Sequence, residues 1–191
     1  MALLRTIDAT TEPVTTAEAK THLRVTSTTD DVYIATLTKA CRQKAENELQ
    51  RSLITQTWEK TLDEFPEVIM LPNPPIISVL TLKYLEPVAG VSTTLNPLSY
   101  TVDTKSEPGW IVPAVGYDWP NIWQAIYAVE VSFTAGYGAA AAVPAAIKAW
   151  ILLHVGHLYE NREATMPGIS ITPLPFLDSL LDPYRIYVVP S

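Results

Sequence analysis

Residues 144–163, PAAIKAWILLHVGHLYENRE, constrain this chain more than any other stretch. Pro144 suits the first turn of a helix, where an absent N–H costs nothing. Across 145–159 nearly every residue is compatible with a helix, and apolar side chains occur on every face. Ile147, Ile151, His154 and Leu158 make one stripe; Ala146, Trp150, Leu153 and His157 make the next. A helix that is apolar nearly all round belongs in a core, buried on most sides. At about 1.5 Å per residue it spans roughly 27 Å, the diameter of a small domain. A membrane span needs about 20 consecutive apolar residues, and Lys148, His154 and His157 interrupt this run. The expectation is a central core helix over 144–161, with no membrane partner.

Two further helices precede it. Residues 1–12 show no helical period and read as an extended arm. Thr15 followed by Glu18 is a capping box, in which each side chain satisfies the other's free backbone N–H. It opens a short helix that ends by Val25, with His22 a surface or cap residue. A second helix starts at Thr29 or Asp30, with Asp30 and Asp31 at the positive end of its dipole. Ile34, Leu37, Cys41, Ala45 and Leu49 form its apolar stripe over about five turns. Cys41 lies in that stripe as a small core residue, not a nucleophile. Lys39, Arg42, Lys44, Glu46 and Glu48 occupy the other faces and are expected to be solvated or to meet a neighbouring subunit.

The period then changes. Residues 55–62, 68–71, 76–85, 100–102 and 110–112 read as strands separated by Pro, Asn and Gly turns. The clearest strand covers 126–134. Tyr127, Val129, Val131 and Phe133 alternate with Ala128, Glu130, Ser132 and Thr134, one face buried and one wet. This predicts one antiparallel sheet of five or six strands, inserted at 55–135 between the second helix and the long one. After the long helix come a loop containing Met166, Pro167 and Gly168, and a short helix from Pro175 with Phe176, Leu177, Leu180 and Leu181 apolar. Last is a β-prone tail, residues 184–191. The fold class expected is α+β, mainly helical: a small bundle around the 144–161 helix, with the β-rich insertion and a C-terminal arm. One domain is expected over 1–191, divided into an arm and helices (1–54), the insertion (55–135), the core and C-terminal helices (144–183) and the tail.

Charge and chemistry narrow the function. The chain has 191 residues, 48% hydrophobic, and a net charge of −7. Residues 1–60 hold eight Lys/Arg and eight Asp/Glu, whereas residues 61–191 hold five and twelve. Phosphate binding requires clustered cations, which this sequence lacks. An acidic wall past which DNA slides without sticking remains compatible. The single Cys41 leaves no internal disulfide and fits a reducing compartment, and no secretory signal is visible near the start.

The best metal candidate is His154 with His157, followed by Glu160 and Glu163, since i and i+3 side chains share a helix face. A zinc-peptidase helix would add a glutamate directly after the first histidine as general base, and here that position is Val155. No phosphate-cradling glycine loop, nucleophile elbow or cysteine pair is present. No catalytic residue, cofactor or metal is therefore assigned. A metal-dependent enzyme using His154 and His157 is the catalytic alternative.

Two segments suit protein contact. Residues 110–123 carry Trp110, Tyr117, Trp119 and Trp123 in a proline-broken loop, and Trp and Tyr bury large areas at low entropic cost. The tail residues Tyr184, Arg185, Ile186, Tyr187, Val188 and Val189 form a β-prone chain end able to add a strand to a neighbour. The loop could equally wrap its own sheet, and the tail could equally fold back on its own domain.

Several strings, in order, resemble a known family. They are PVTTAEAKTHLRV (13–25), LITQTW (53–58), GWIVP (109–113), TAGYG (134–138) and VGHLYENRE (155–163). With them the chain resembles the head–tail connector, or adaptor, proteins of tailed bacteriophages, of the gp6-like type and in particular the phiE125 gp8 family. The resemblance implies a non-catalytic ring of about twelve subunits in the virion, below the portal protein, made in the bacterial host cytoplasm. It implies that the ring extends the channel for genome DNA without binding it specifically and joins the head to the next neck or tail protein. A tail-completion or tail-terminator protein is the structural alternative.

Overall fold

The computed structural model describes residues 1–162 and 179–186. Among them are three α-helices and eight β-strands, in about equal proportion. The α+β class holds, but the mainly helical expectation does not. The chain divides into two compact units: a β unit of Met1–Thr10 with Thr55–Tyr137, and a helical unit of Thr11–Ile54 with Gly138–Ser191.

The β unit contains β1 (Ala2–Ile7), β2 (Gln56–Leu62), β3 (Ile69–Leu71), β4 (Ile76–Leu85), β5 (Ser92–Thr94), β6 (Tyr100–Asp103), β7 (Gly109–Pro113) and β8 (Val129–Ala135). They form two antiparallel sheets, ordered β1-β2-β8-β4-β5 and β3-β7-β6, where the sequence suggested one. β8 sits at the centre of the larger sheet, with Trp58 of β2 and Val79 of β4 both opposite Phe133. Its alternation is as expected: Val129, Val131, Phe133 and Ala135 are buried, and Glu130 reaches Lys83 across the other face at 2.9 Å. They join Leu62, Leu82, Ile69, Leu71 and Ile111 in one core that draws on both sheets. Gly109 permits a close approach here, because a Cβ would fall 2.6 Å from Ile76 Cγ1 and 2.9 Å from Asp103 O.

Two details depart from the sequence reading. Tyr127 is not on the buried face: it precedes β8 with φ +61° and is exposed. The expected N-terminal arm is instead the edge strand β1, paired from Ala2 opposite Thr61 to Ile7 opposite Thr57. It shows no hydrophobic alternation because most of its residues are exposed on both faces, so only the backbone ladder to β2 defines it.

In the helical unit, α1 (Thr16–Leu23) carries the full capping box between Thr15 and Glu18 and ends at Arg24 with φ +58°. α2 (Asp31–Leu49) buries Ile34, Cys41, Ala45 and Leu49 of its predicted stripe, with Leu37 half-buried and Thr38 buried beside it, and burial raises the Cys41 thiol to about 11. Arg42 and Glu46, expected at the surface, are buried. The Arg42 guanidinium donates to Glu12 and to Glu46, each at 2.7 Å, and Glu46 also accepts the Leu53 backbone N–H at 3.0 Å. Burying charge is tolerable only when it is paired and hydrogen-bonded in this way.

α3 (Ala145–Glu160) is the long helix, but only Ile147, Trp150, Ile151 and Val155 are buried on it. Leu153 and Leu158 are exposed, so the expectation of burial on most sides fails. Among the described residues the helices that pack against α3 are α1 and α2, and these cover one stripe of it. Beyond α3, Arg162 lies over the rings of Tyr33 and Tyr159 at 4.9 and 5.0 Å and pairs with Asp30 at 3.0 Å. Tyr159 Oη donates to the same carboxylate at 2.6 Å.

Candidate inter-subunit interface

The aromatic loop is fastened to the β unit at several points, and those points decide which side chains stay outside. It leaves β7 through Ala114, whose N–H donates to Ser99 O, and turns at Gly116, φ +83°. The turn holds Val115 and Tyr117 outward; Val115 is 103% exposed. Trp119 then folds back. Its ring stacks on Phe65 with centroids 4.7 Å apart and planes 7° apart, and Nε1 donates to Glu67 O at 3.4 Å.

The Trp123 N–H donates to Leu85 O at 2.9 Å, and its half-exposed ring faces Gly90 in the turn after β4. Tyr127 N–H donates to Asp63 Oδ1 at 2.9 Å, and that bond holds the Asp63 carboxyl below its ordinary range. Trp110 is a half-buried strand residue opposite Met70 and Asp103.

The four loop candidates therefore separate. Trp110 and Trp119 are engaged within the β unit, whereas Tyr117 and Trp123 present aromatic surface outward. The sequence reading missed Val88, Val115, Ile126 and Tyr127, which are also exposed. For Val88 and Val115 the available signal was their place beside Pro87 and Gly116, where an apolar residue has no sheet face to enter; Ile126 and Tyr127 carry no such neighbour and read as the start of the strand.

The tail candidates lie in the other unit. Leu181 is buried, and a 3₁₀ turn over Asp182–Tyr184 follows it. Tyr184 O accepts from Arg51 Nε, and Ile186 N–H donates to Leu49 O at 3.1 Å. Arg185 pairs with Glu48 at 3.7 Å and with Asp182 at 3.5 Å. Tyr184, Arg185 and Ile186 are thus secured to the C-terminal end of α2. Tyr187, Val188 and Val189 lie outside the described residues, as do the 164–173 loop and most of the expected C-terminal helix.

The β unit has ten carboxylates and four cations. Lys60 is buried with Nζ donating to Met70 O at 2.6 Å, and desolvation lowers its pKa. Lys83 is spent on Glu130, while Arg5 meets Asp8 at 3.2 Å and lies over Trp58. The unit therefore shows an acidic surface, which repels polyanions.

His154 and His157 do not converge on a common point. The His154 ring stacks on Trp150 at 3.6 Å with Nδ1 3.0 Å from Trp150 O, and His157 is exposed beside Asn161. Among the described residues no group of three or more His, Cys, Asp or Glu is placed to hold a metal ion. No helix among them is long and apolar enough to cross a membrane.

A family model matches residues 14–84. It is that of the phage gp6-like head-tail connector proteins. The match covers α1, α2 and the first strands of the insertion, and it bears out the gp6-like resemblance over the strings at 13–25 and 53–58. The whole chain also has the fold of solved neck proteins. It is similar to a chain from the neck of an empty GTA particle computed with C6 symmetry, at TM-score 0.81 and 23% identity, covering 99% of this chain and 97% of that one. A chain from the virion of a native gene transfer agent particle gives 0.79 at 22% identity. One from a native GTA neck computed with C12 symmetry gives 0.76 at 22%, both with the same coverage. No curated protein matches the chain.

Proposed function

We propose that this chain is a structural head–tail connector of a tailed-phage-like particle, located in the virion at the junction of head and neck and performing no catalysis. The observation that carries the reading is the end-to-end likeness to neck proteins combined with the gp6-like head-tail connector match at residues 14–84. Copies of the chain join head-to-tail in a closed cyclic ring of about twelve. One side of the ring meets the portal protein and the other the next neck or tail protein. The acidic β unit suits a channel wall, because a surface without free cation clusters lets DNA pass without capture. Tyr117 and Trp123 offer contact surface to those neighbours, and Trp110 and Trp119 stiffen the loop behind them.

Light scattering across a concentration series tests the ring. A discrete species near twelve times the 21.1 kDa chain mass is expected. Electron microscopy of particles made without the protein tests the position. Filled heads lacking necks are expected, whereas tails of uncontrolled length would assign the chain to tail termination instead.

A further inference from the structure

The larger sheet has two edges, and they are built differently. β5, at one edge, is three residues long and carries only Ser92, Thr93 and Thr94. Short, polar edge strands are how proteins keep sheets from pairing with other chains. β1, at the other edge, runs six residues and exposes Leu3, Leu4 and Ile7 at 42%, 61% and 56%. Among the described residues no strand pairs with its outer side. Its one charge, Arg5, does not guard the edge, because the guanidinium is engaged with Asp8 and Gln56 and lies over Trp58 of β2. Leu3 and Leu4, adjacent along a strand, point to opposite faces, so apolar surface flanks the open ladder above and below. An exposed apolar edge is the template that strand addition requires, and the ladder to β2 is regular over Ala2–Arg5, ahead of the register shift between Arg5 and Ile7.

We propose that β1 is a subunit-joining edge, to which an extended segment of a neighbouring copy of this chain adds as a sixth strand. The inference rests on the ring reading and names one of its contacts. Charge favours a second copy as the occupant. Residues 1–7 contain Arg5 and no carboxylate, while the rest of the β unit holds ten carboxylates against Lys60, Lys83 and Lys105. An acidic neighbour therefore meets its least like charge along β1. A cyclic ring needs two different surfaces on each copy, and the unequal edges of this sheet supply one of them without inviting the β1-to-β1 pairing of a closed dimer to be repeated at β5.

The test uses the full chain and the variant L4E/I7E, whose new carboxylates sit on exposed positions and leave the β-unit core intact. The assembly midpoint is followed by light scattering, the fold by thermal melting, and the β1 amides by hydrogen exchange. The wild type is expected to assemble with rising concentration and to gain protection at the outward amides of residues 2–7. The variant should melt as the wild type does, with its midpoint raised more than about tenfold. Wild-type assemblies whose β1 amides exchange as fast as in the monomer would overturn the inference and leave the connector reading intact. A wild type that stays monomeric at every concentration would also overturn it. Necks on particles made without the protein would instead overturn the connector reading.

Discussion

Phe133 in the β unit and Arg42 in the helical unit are both fully buried, yet opposite forces hold them. Phe133 lies in a cluster of Val, Ile and Leu drawn from two sheets, where burial itself supplies about 2–3 kcal/mol. Arg42 gains nothing from burial and is retained by Glu12 and Glu46. Glu12 lies near the start of the helical unit and Glu46 one turn along α2, so the pair of carboxylates ties the incoming chain to the middle of that helix. The β unit is stabilised by volume and the helical unit partly by charge. The two should therefore fail under different insults.

The largest separation is expected from Phe133→Ala. It opens a cavity in the β core and costs about 4 kcal/mol, read in the fluorescence of Trp58, Trp110, Trp119 and Trp123 in a Trp150→Phe background, while the helical circular dichroism is spared. Arg42→Met should do the reverse. It removes the guanidinium that Glu12 and Glu46 share and costs about 3 kcal/mol, and adding Glu46→Gln should recover much of the loss because Leu53 N–H keeps its acceptor. Equal effects of both single changes on both signals in denaturant melts would show that the units unfold as one.

Thr15→Ala should cost about 1 kcal/mol by removing the cap of α1, visible in the helical signal alone. The smallest effect is a pH slope. Tyr159 first, and then Arg162, hold the Asp30 carboxyl below its ordinary value of 3.8. A depressed carboxyl contributes stability above that ordinary value and loses it as the pH falls through the folded one. The melting temperature of the helical unit should drop with acid below about pH 4, and less steeply in Asp30→Asn.

Local signals were readable in the sequence, and those that depend on distant partners were not. The Thr15–Glu18 box, the α2 stripe and the β8 alternation each depend on neighbours within a few residues, and each appears where the pattern puts it. Arg42 and Glu46 look solvated because an i,i+4 pair usually is; the deciding partner, Glu12, is 30 residues away. β1 escaped because a strand exposed on both faces carries no period. α3 misled in the other direction, since composition states how much of a helix is apolar but not how many neighbours are there to cover it. In the candidate interface, Trp119 could not be told from Trp123 by type, because the stacking of Trp119 on Phe65 brings together residues far apart in sequence.

Neither unit is a continuous piece of chain. The backbone passes from one to the other at Thr10–Thr11, at Ile54–Thr55 and at Tyr137–Gly138. The two units are therefore joined by three covalent bridges. A protease cut at one bridge leaves two still holding. For a protein proposed to sit where a head is fastened to its tail, that redundancy means a single nick does not detach one half from the other.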